Sequence, residues 1–142
     1  MSDQLLAQAH RFLDWARDRG ARLDGTDDSV FFLQGVIESM AEDDGEEPAF
    51  RGIKLLAYAV YLAELLADTC TGVRCVIEAE GMRLDAVNAV QAGGATQFTL
   101  NWLRNCLDDC DADNLAFKYA GALQDFGEHD RAQALYALLV DD

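Results

Sequence analysis

Apolar positions along the chain follow two periods, and each predicts a different element. Over Asp3–Arg19 they recur at Leu5, Leu6, Ala9, Phe12, Leu13, Trp15 and Ala16 with charges on the opposite side. That is the spacing of an amphipathic helix, and Gly20 is placed to stop it. Ser29–Ala41 repeats the pattern through Val30, Leu33, Val36, Ile37 and Met40. Arg51–Ala67 differs: from Ile53 onward only Lys54 and Glu64 interrupt the apolar side chains. A helix with almost no polar face is a buried one, so this stretch is the expected centre of the fold. It is too short and too interrupted for a membrane span, which needs roughly 18 or more apolar residues.

Period two takes over at Val73–Glu80, where Val73, Cys75, Ile77 and Ala79 alternate with Arg74, Val76, Glu78 and Glu80. This is strand patterning, and Gly81-Met82 would turn the chain into a returning strand over Arg83–Gln91. The alanines of Leu84–Gln91 also permit a helix there. Helical spacing resumes over Thr96–Cys110 through Phe98, Trp102, Leu103, Cys106 and Leu107, with Thr96 or Thr99 as cap. Asn114–Phe126 and Glu128–Val140 read as two more helices, separated at Gly127. Between elements lie a turn at Leu23–Asp28, where Asp24 or Thr26 could cap the next helix, a charged loop at Glu42–Pro48 and a turn at Asp111–Asp113. The expectation is one α+β domain over residues 1–142. It is mostly helical, with five to six helices packed around the central buried helix beside a small antiparallel β-hairpin.

Composition adds a core and a charge. Apolar residues make up 51% of the 142, ample for a single core. Acidic residues number 26 against 11 basic ones, for a net charge of −15. Such a surface repels phosphate backbones and anionic membranes, so neither nucleic acid nor membrane is an expected partner. It attracts a basic protein and speeds the encounter. MSDQLLAQAHRFLDW has no basic segment leading into an apolar run, so no signal peptide is expected. A cytoplasmic chain would keep Cys70, Cys75, Cys106 and Cys110 as reduced thiols.

Candidate chemistry is sparse. Asp109, Asp111 and Asp113 open like a calcium loop, but Asn114 stands where the loop needs glycine and Ala120 where it needs the closing acid. Capping and solvation account for these aspartates better. The cysteine spacings are wider than structural zinc knuckles use, and buried packing suits them better. His10 and His129 lie at opposite ends of the chain in helical positions expected to be exposed, and no nucleophile, phosphate-loop or dinucleotide motif is present. No catalytic, cofactor or metal residue is assigned, and an enzyme is the weakest class. Glu64 stands alone among apolar neighbours and must reach solvent, pair with a cation or act as a functional acid. The simplest reading puts it on one solvent-facing strip with Lys54 and Asp68. Tyr119–Leu139 resembles a tetratricopeptide helix pair through Tyr119, Ala120, Gly127, Ala132 and Tyr136. With no second copy upstream, it reads as local helix packing at Ala132.

Two stretches carry a further resemblance. Leu23-Asp24-Gly25-Thr26 followed by Ser29-Val30, and Tyr61-Leu62-Ala63-Glu64 ahead of a strand pair, resemble segments of a family of small uncharacterised bacterial α+β domains. Some members of that group look like immunity proteins of secreted toxin systems. The resemblance covers about the first two thirds of the chain, with Ala63 in place of the family's glycine and no bulky aromatic in the first strand. It makes Glu64 a signature acid and implies no activity for it. Together with the charge, it leads to a non-enzymatic domain that docks an acidic face on a basic protein, a toxin in the immunity reading. The contact candidates are Asp27, Asp28, Glu42, Asp43, Asp44, Glu46, Glu47, Asp108, Asp109, Asp111 and Asp113. The alternatives are an adaptor that uses the C-terminal helix pair and a small enzyme.

Overall fold

A computed structural model describes residues 2–43, 45–80 and 83–140. Asp44 and the turn expected at Gly81-Met82 lie outside the described residues. The elements run α1 (Ser2–Asp18), α2 (Ser29–Glu42), α3 (Pro48–Thr69), β1 (Val73–Glu80), β2 (Arg83–Gln91), β3 (Thr96–Gln97), α4 (Thr99–Asp108), α5 (Leu115–Asp125) and α6 (His129–Val140). The fold is α+β and mostly helical, as the periodicities predict.

The apolar centre is α3. Every residue from Leu56 to Leu66 except Glu64 is buried, and the helix packs against α1, α4 and both long strands. Burying a leucine such as Leu62, which is fully enclosed, contributes about 1.5–3 kcal/mol relative to exposure. Truncating it to alanine would cost about 2–5 kcal/mol through the cavity left behind. The helix begins one turn earlier than the apolar run suggests, because Pro48 occupies its first turn. Proline has no N–H to lose there, and its fixed φ suits a helix start.

Helix ends follow local chemistry. Gly20, at φ 93°, closes α1: Ala21 N–H donates to Ala16 O at 3.1 Å and Gly20 N–H to Arg17 O at 3.0 Å. Gly127, at φ 91°, closes α5 in the same way, with Glu128 N–H donating to Leu123 O at 2.7 Å. Both positive φ values are ones that only glycine adopts cheaply. Asn114 caps α5, accepting from Ala116 N–H at 2.9 Å and Phe117 N–H at 3.3 Å.

Three expectations are corrected. Thr96–Gln97 forms a third strand rather than the start of a helix, antiparallel to β2 through Ala89↔Gln97 and Val90↔Thr96. The Gln91–Ala95 turn, closed by Gln91 N–H donating to Ala95 O at 3.0 Å, folds it back on β2. Phe98 therefore stays outside α4 and half exposed. Thr99 does not cap α4. It is fully buried, and its hydroxyl is shared between Ala59 O at 2.9 Å and Val87 O at 3.2 Å, tying α3 to β2. Asp24 does not cap α2 either; its carboxylate accepts from the backbone and hydroxyl of Thr26 in a local turn.

Candidate functional site

The candidate acids divide into those committed within the fold and those left facing solvent. Asp27 is committed. It immediately precedes the α2 cap, and its carboxylate takes Arg131 Nε at 3.0 Å and Nη2 at 2.6 Å, with Tyr119 OH donating at 2.6 Å. The same guanidinium donates to Thr69 O at 3.1 Å and to Thr69 Oγ1 at 3.0 Å. One side chain of α6 thus joins α5, the end of α3 and the approach to α2. Burial alone would raise the Asp27 pKa, but the bonds from Arg131 and Tyr119 outweigh it and hold the carboxyl below its ordinary range.

Glu46 is also withdrawn. It pairs with Arg51 at 3.4 Å and with Lys54, leaving its side chain 8% exposed. Arg51 in turn donates to Met40 O at 2.7 Å and Asp43 O at 2.9 Å, satisfying carbonyls at the end of α2. The densest acidic stretch of the sequence is therefore partly a joint between α2 and α3. Asp113 pairs with Lys118 at 3.0 Å. Asp28 and Glu47 remain exposed, at the opposite end of α2 and at the cap of α3.

Further exposed acids lie near the buried amide of Gln34. This buried amide accepts Leu115 N–H at 2.7 Å and the Cys106 thiol at 3.7 Å. Its nitrogen donates to Glu38 Oε1 at 3.0 Å and Cys110 O at 3.4 Å. The middle of α2 is so pinned to the turn between α4 and α5. Glu38, Asp111 and Asp109 lie near the Cys110 thiol, whose pKa burial raises first; the hydrogen bond with Cys106 opposes this and the three nearby charges add to it. Glu42, one turn beyond Glu38 on α2, continues the row, and all four acids are exposed. Among the described residues none of the four forms an ion pair. Glu38 is absent from the sequence candidates. Its i,i+4 spacing to Glu42 was the signal, but that row points at the 109–111 turn only through Gln34.

The two stretches that carry the family resemblance meet each other. Tyr61 OH accepts Gly25 N–H at 2.9 Å and lies 2.7 Å from Ser29 Oγ, whose hydroxyl donates to Thr26 O at 2.6 Å. Beside this contact is a cleft of about 150 Å³ lined by Arg17, Gly25, Tyr61, Glu64, Leu65, Asp68 and Thr69. Glu64 does not share a strip with Lys54, which is occupied by Glu46. Both of its oxygens face His10 Nε2, at 2.8 and 3.0 Å, with side-chain exposures of 45% for His10 and 36% for Glu64. The hydroxyls lining the cleft are engaged: Thr69 Oγ1 donates to Leu65 O at 2.7 Å, and Tyr61 is held as above.

Cys106 and Cys110 are neighbours with interacting thiols, and all four cysteines are free thiols. Burial pushes the Cys106 thiol up to about 12, and burial together with Glu64 pushes Cys75 up to about 11. Cys70, beside Arg131, is raised by burial as well. Among the described residues no three of His, Cys, Asp and Glu gather in a geometry that would hold a metal ion. None of the described helices is long and apolar enough to cross a membrane. No family model, curated protein or solved structure matches the chain.

Proposed function

We propose that this domain acts by binding, docking the ridge of Glu38, Glu42, Asp109 and Asp111 on a basic protein in the manner of an immunity-type inhibitor. The observation that supports this reading is the exposure of these carboxylates, without an ion-pair partner among the described residues, beside the Gln34 bonds that join α2 to the α4–α5 turn. Like charges gathered without cations cost folding energy and gain an opposite-charge partner on contact. A rigid ridge loses little conformational freedom when it binds. The raised thiols and engaged hydroxyls suit a binder better than a nucleophilic enzyme.

The test is capture of a basic protein from native lysate by the tagged domain, compared with a variant carrying Glu38→Gln, Glu42→Gln, Asp109→Asn and Asp111→Asn. Asn at 109 keeps the acceptor that now takes Asp111 N–H at 3.2 Å and Ala112 N–H at 3.1 Å. A basic partner held by the wild type and lost by the variant, with an association rate that falls as salt rises, is the expected result. Equal capture by both refutes the ridge. A second reading has its own observation: on the C-terminal helix pair Phe117 and Leu138 are about half exposed, and the Phe117 and Tyr136 rings lie 6.2 Å apart. An adaptor that used this face would lose its partner on Phe117→Ser and keep it in the ridge variant.

A further inference from the structure

Among the described residues, the sheet order β1-β2-β3 leaves the outer edge of β1 without a partner strand. Hydrogen bonds around the hairpin fix which residues show their backbone there. Ala92 N–H donates to Gly72 O at 3.1 Å across the β1–β2 pair. The residues of β1 in phase with Gly72, namely Arg74, Val76 and Glu78, therefore turn their amides and carbonyls toward β2. The far side of β2 agrees: Gln91 N–H goes to Ala95 O, and Val87 O accepts from Thr99. Cys75 and Ile77 thus present N–H and C=O to the open edge, and among the described residues no other element bonds to them there. A bulge between Glu78 and Ala79 ends the regular part of this edge.

A second copy of the same strand can pair with it antiparallel about a two-fold axis. Phase allows the axis at Cys75, Val76 or Ile77. About Cys75, Arg74 faces a valine. About Ile77, Glu78 faces a valine. About Val76, Arg74 faces Glu78 of the second copy at both ends, Val76 faces Val76, and Cys75 exchanges hydrogen bonds with Ile77. Arg74 and Glu78 are exposed and in separate cross-strand rows of their own hairpin, opposite Val90 and Ala86. Among the described residues neither has an ion-pair partner. Val76, Cys75 and Ile77 are each half-buried, and pairing would cover them.

We propose that β1 is a homodimer edge, pairing with β1 of a second copy about Val76 and joining two three-stranded sheets into one. The matched charges fix this register, and open edges of this length are ones that proteins otherwise cover. The net charge of −15 on each copy opposes association at low ionic strength. At physiological salt it is screened beyond about 8 Å, so the facing pairs decide.

Sedimentation equilibrium of the full chain at physiological salt is expected to give twice the 15.6 kDa chain mass. Arg74→Glu or Glu78→Arg sets like charges opposite each other at both ends and should weaken the dimer about tenfold or more. The two changes combined restore opposite charges and should restore the dimer. In the proposed register Val76 faces its own copy in a non-hydrogen-bonded pair, with Cα atoms about 4.5 Å apart, within disulfide reach. Val76→Cys should therefore cross-link under oxidised glutathione, with the linked peptide identified by mass spectrometry, while Arg74→Cys alone should not. A monomeric wild type, a dimer indifferent to both reversals, or reversals not rescued by their combination in variants of unchanged unfolding midpoint would each overturn the proposal.

Discussion

Replacing Arg131 with methionine removes a side chain that ties α6 to three other parts of the fold, and its cost can be worked from the contacts. Arg131 makes two charge-assisted bonds to Asp27 and three more to Thr69 and Tyr119. Both ion-pair partners are 25% exposed at the side chain. A hydrogen bond to a charged group contributes about 1.5–3 kcal/mol when enclosed, and an exposed ion pair contributes about 0–1 kcal/mol. A mostly enclosed bond falls between, at about 1.5 kcal/mol, so the two bonds to Asp27 give an expected loss of about 3 kcal/mol at neutral pH. For a domain of this size, with a urea slope of about 2 kcal/mol per molar, the midpoint should fall by about 1.5 M. Acid supplies the sharper check. In the wild type the depressed Asp27 pKa contributes stability above the unfolded value of about 3.9, lost as pH falls through the lower folded value. Without Arg131, burial dominates and the neutral carboxyl is favoured. The penalty should then shrink between pH 7 and pH 4, as Asp27 protonates in the variant while it stays ionised in the wild type. A midpoint shift under about 0.5 M at pH 7, or a penalty that grows on acidification, would refute this account of the joint.

Two further outcomes are expected. Gln34→Leu leaves the buried Leu115 N–H without its acceptor and should cost about 2–3 kcal/mol, read by urea unfolding and by faster hydrogen exchange at the Leu115 amide; unchanged exchange would count against the amide's role. At pH 8 a thiol reagent should modify half-buried Cys110 first and fully buried Cys106 last, with all four thiols reacting once the chain is unfolded. Equal rates for Cys106 and Cys110 would contradict the buried position of Cys106.

What the sequence makes legible depends on how local the determining interaction is. The apolar run from Ile53 identifies α3 because burial on all sides leaves a mark at every position. Alternation over Val73–Glu80 identifies β1 for the same reason, and Gly20 and Gly127 mark helix ends through φ values set within a turn. The pairing of β3 left no such mark: two residues are too few for a period, and the turn at Gln91–Ala95 decides it. Glu64 was legible as an exception on α3, but its partner His10 lies 54 positions away. Nothing in local spacing could join them. Glu46 shows the same limit in reverse. Its neighbours made it look like part of the most exposed acidic loop, yet Arg51 and Lys54, in the next helix, turn it inward.

The acids therefore serve two physically distinct purposes, and the distinction bears on how the domain can be altered. Asp27 and Glu46 face cations across element boundaries, where their charge helps to hold helices together. Glu38, Glu42, Asp109 and Asp111 are exposed, and among the described residues none of them has an ion-pair partner within the fold. Neutralising the first pair should unfold the domain more readily, whereas neutralising the ridge should leave stability unchanged or slightly improved while slowing association with a basic partner. In the proposed function the contact is therefore the ridge and not the Glu42–Glu47 loop, whose Glu46 is already held by Arg51 and Lys54.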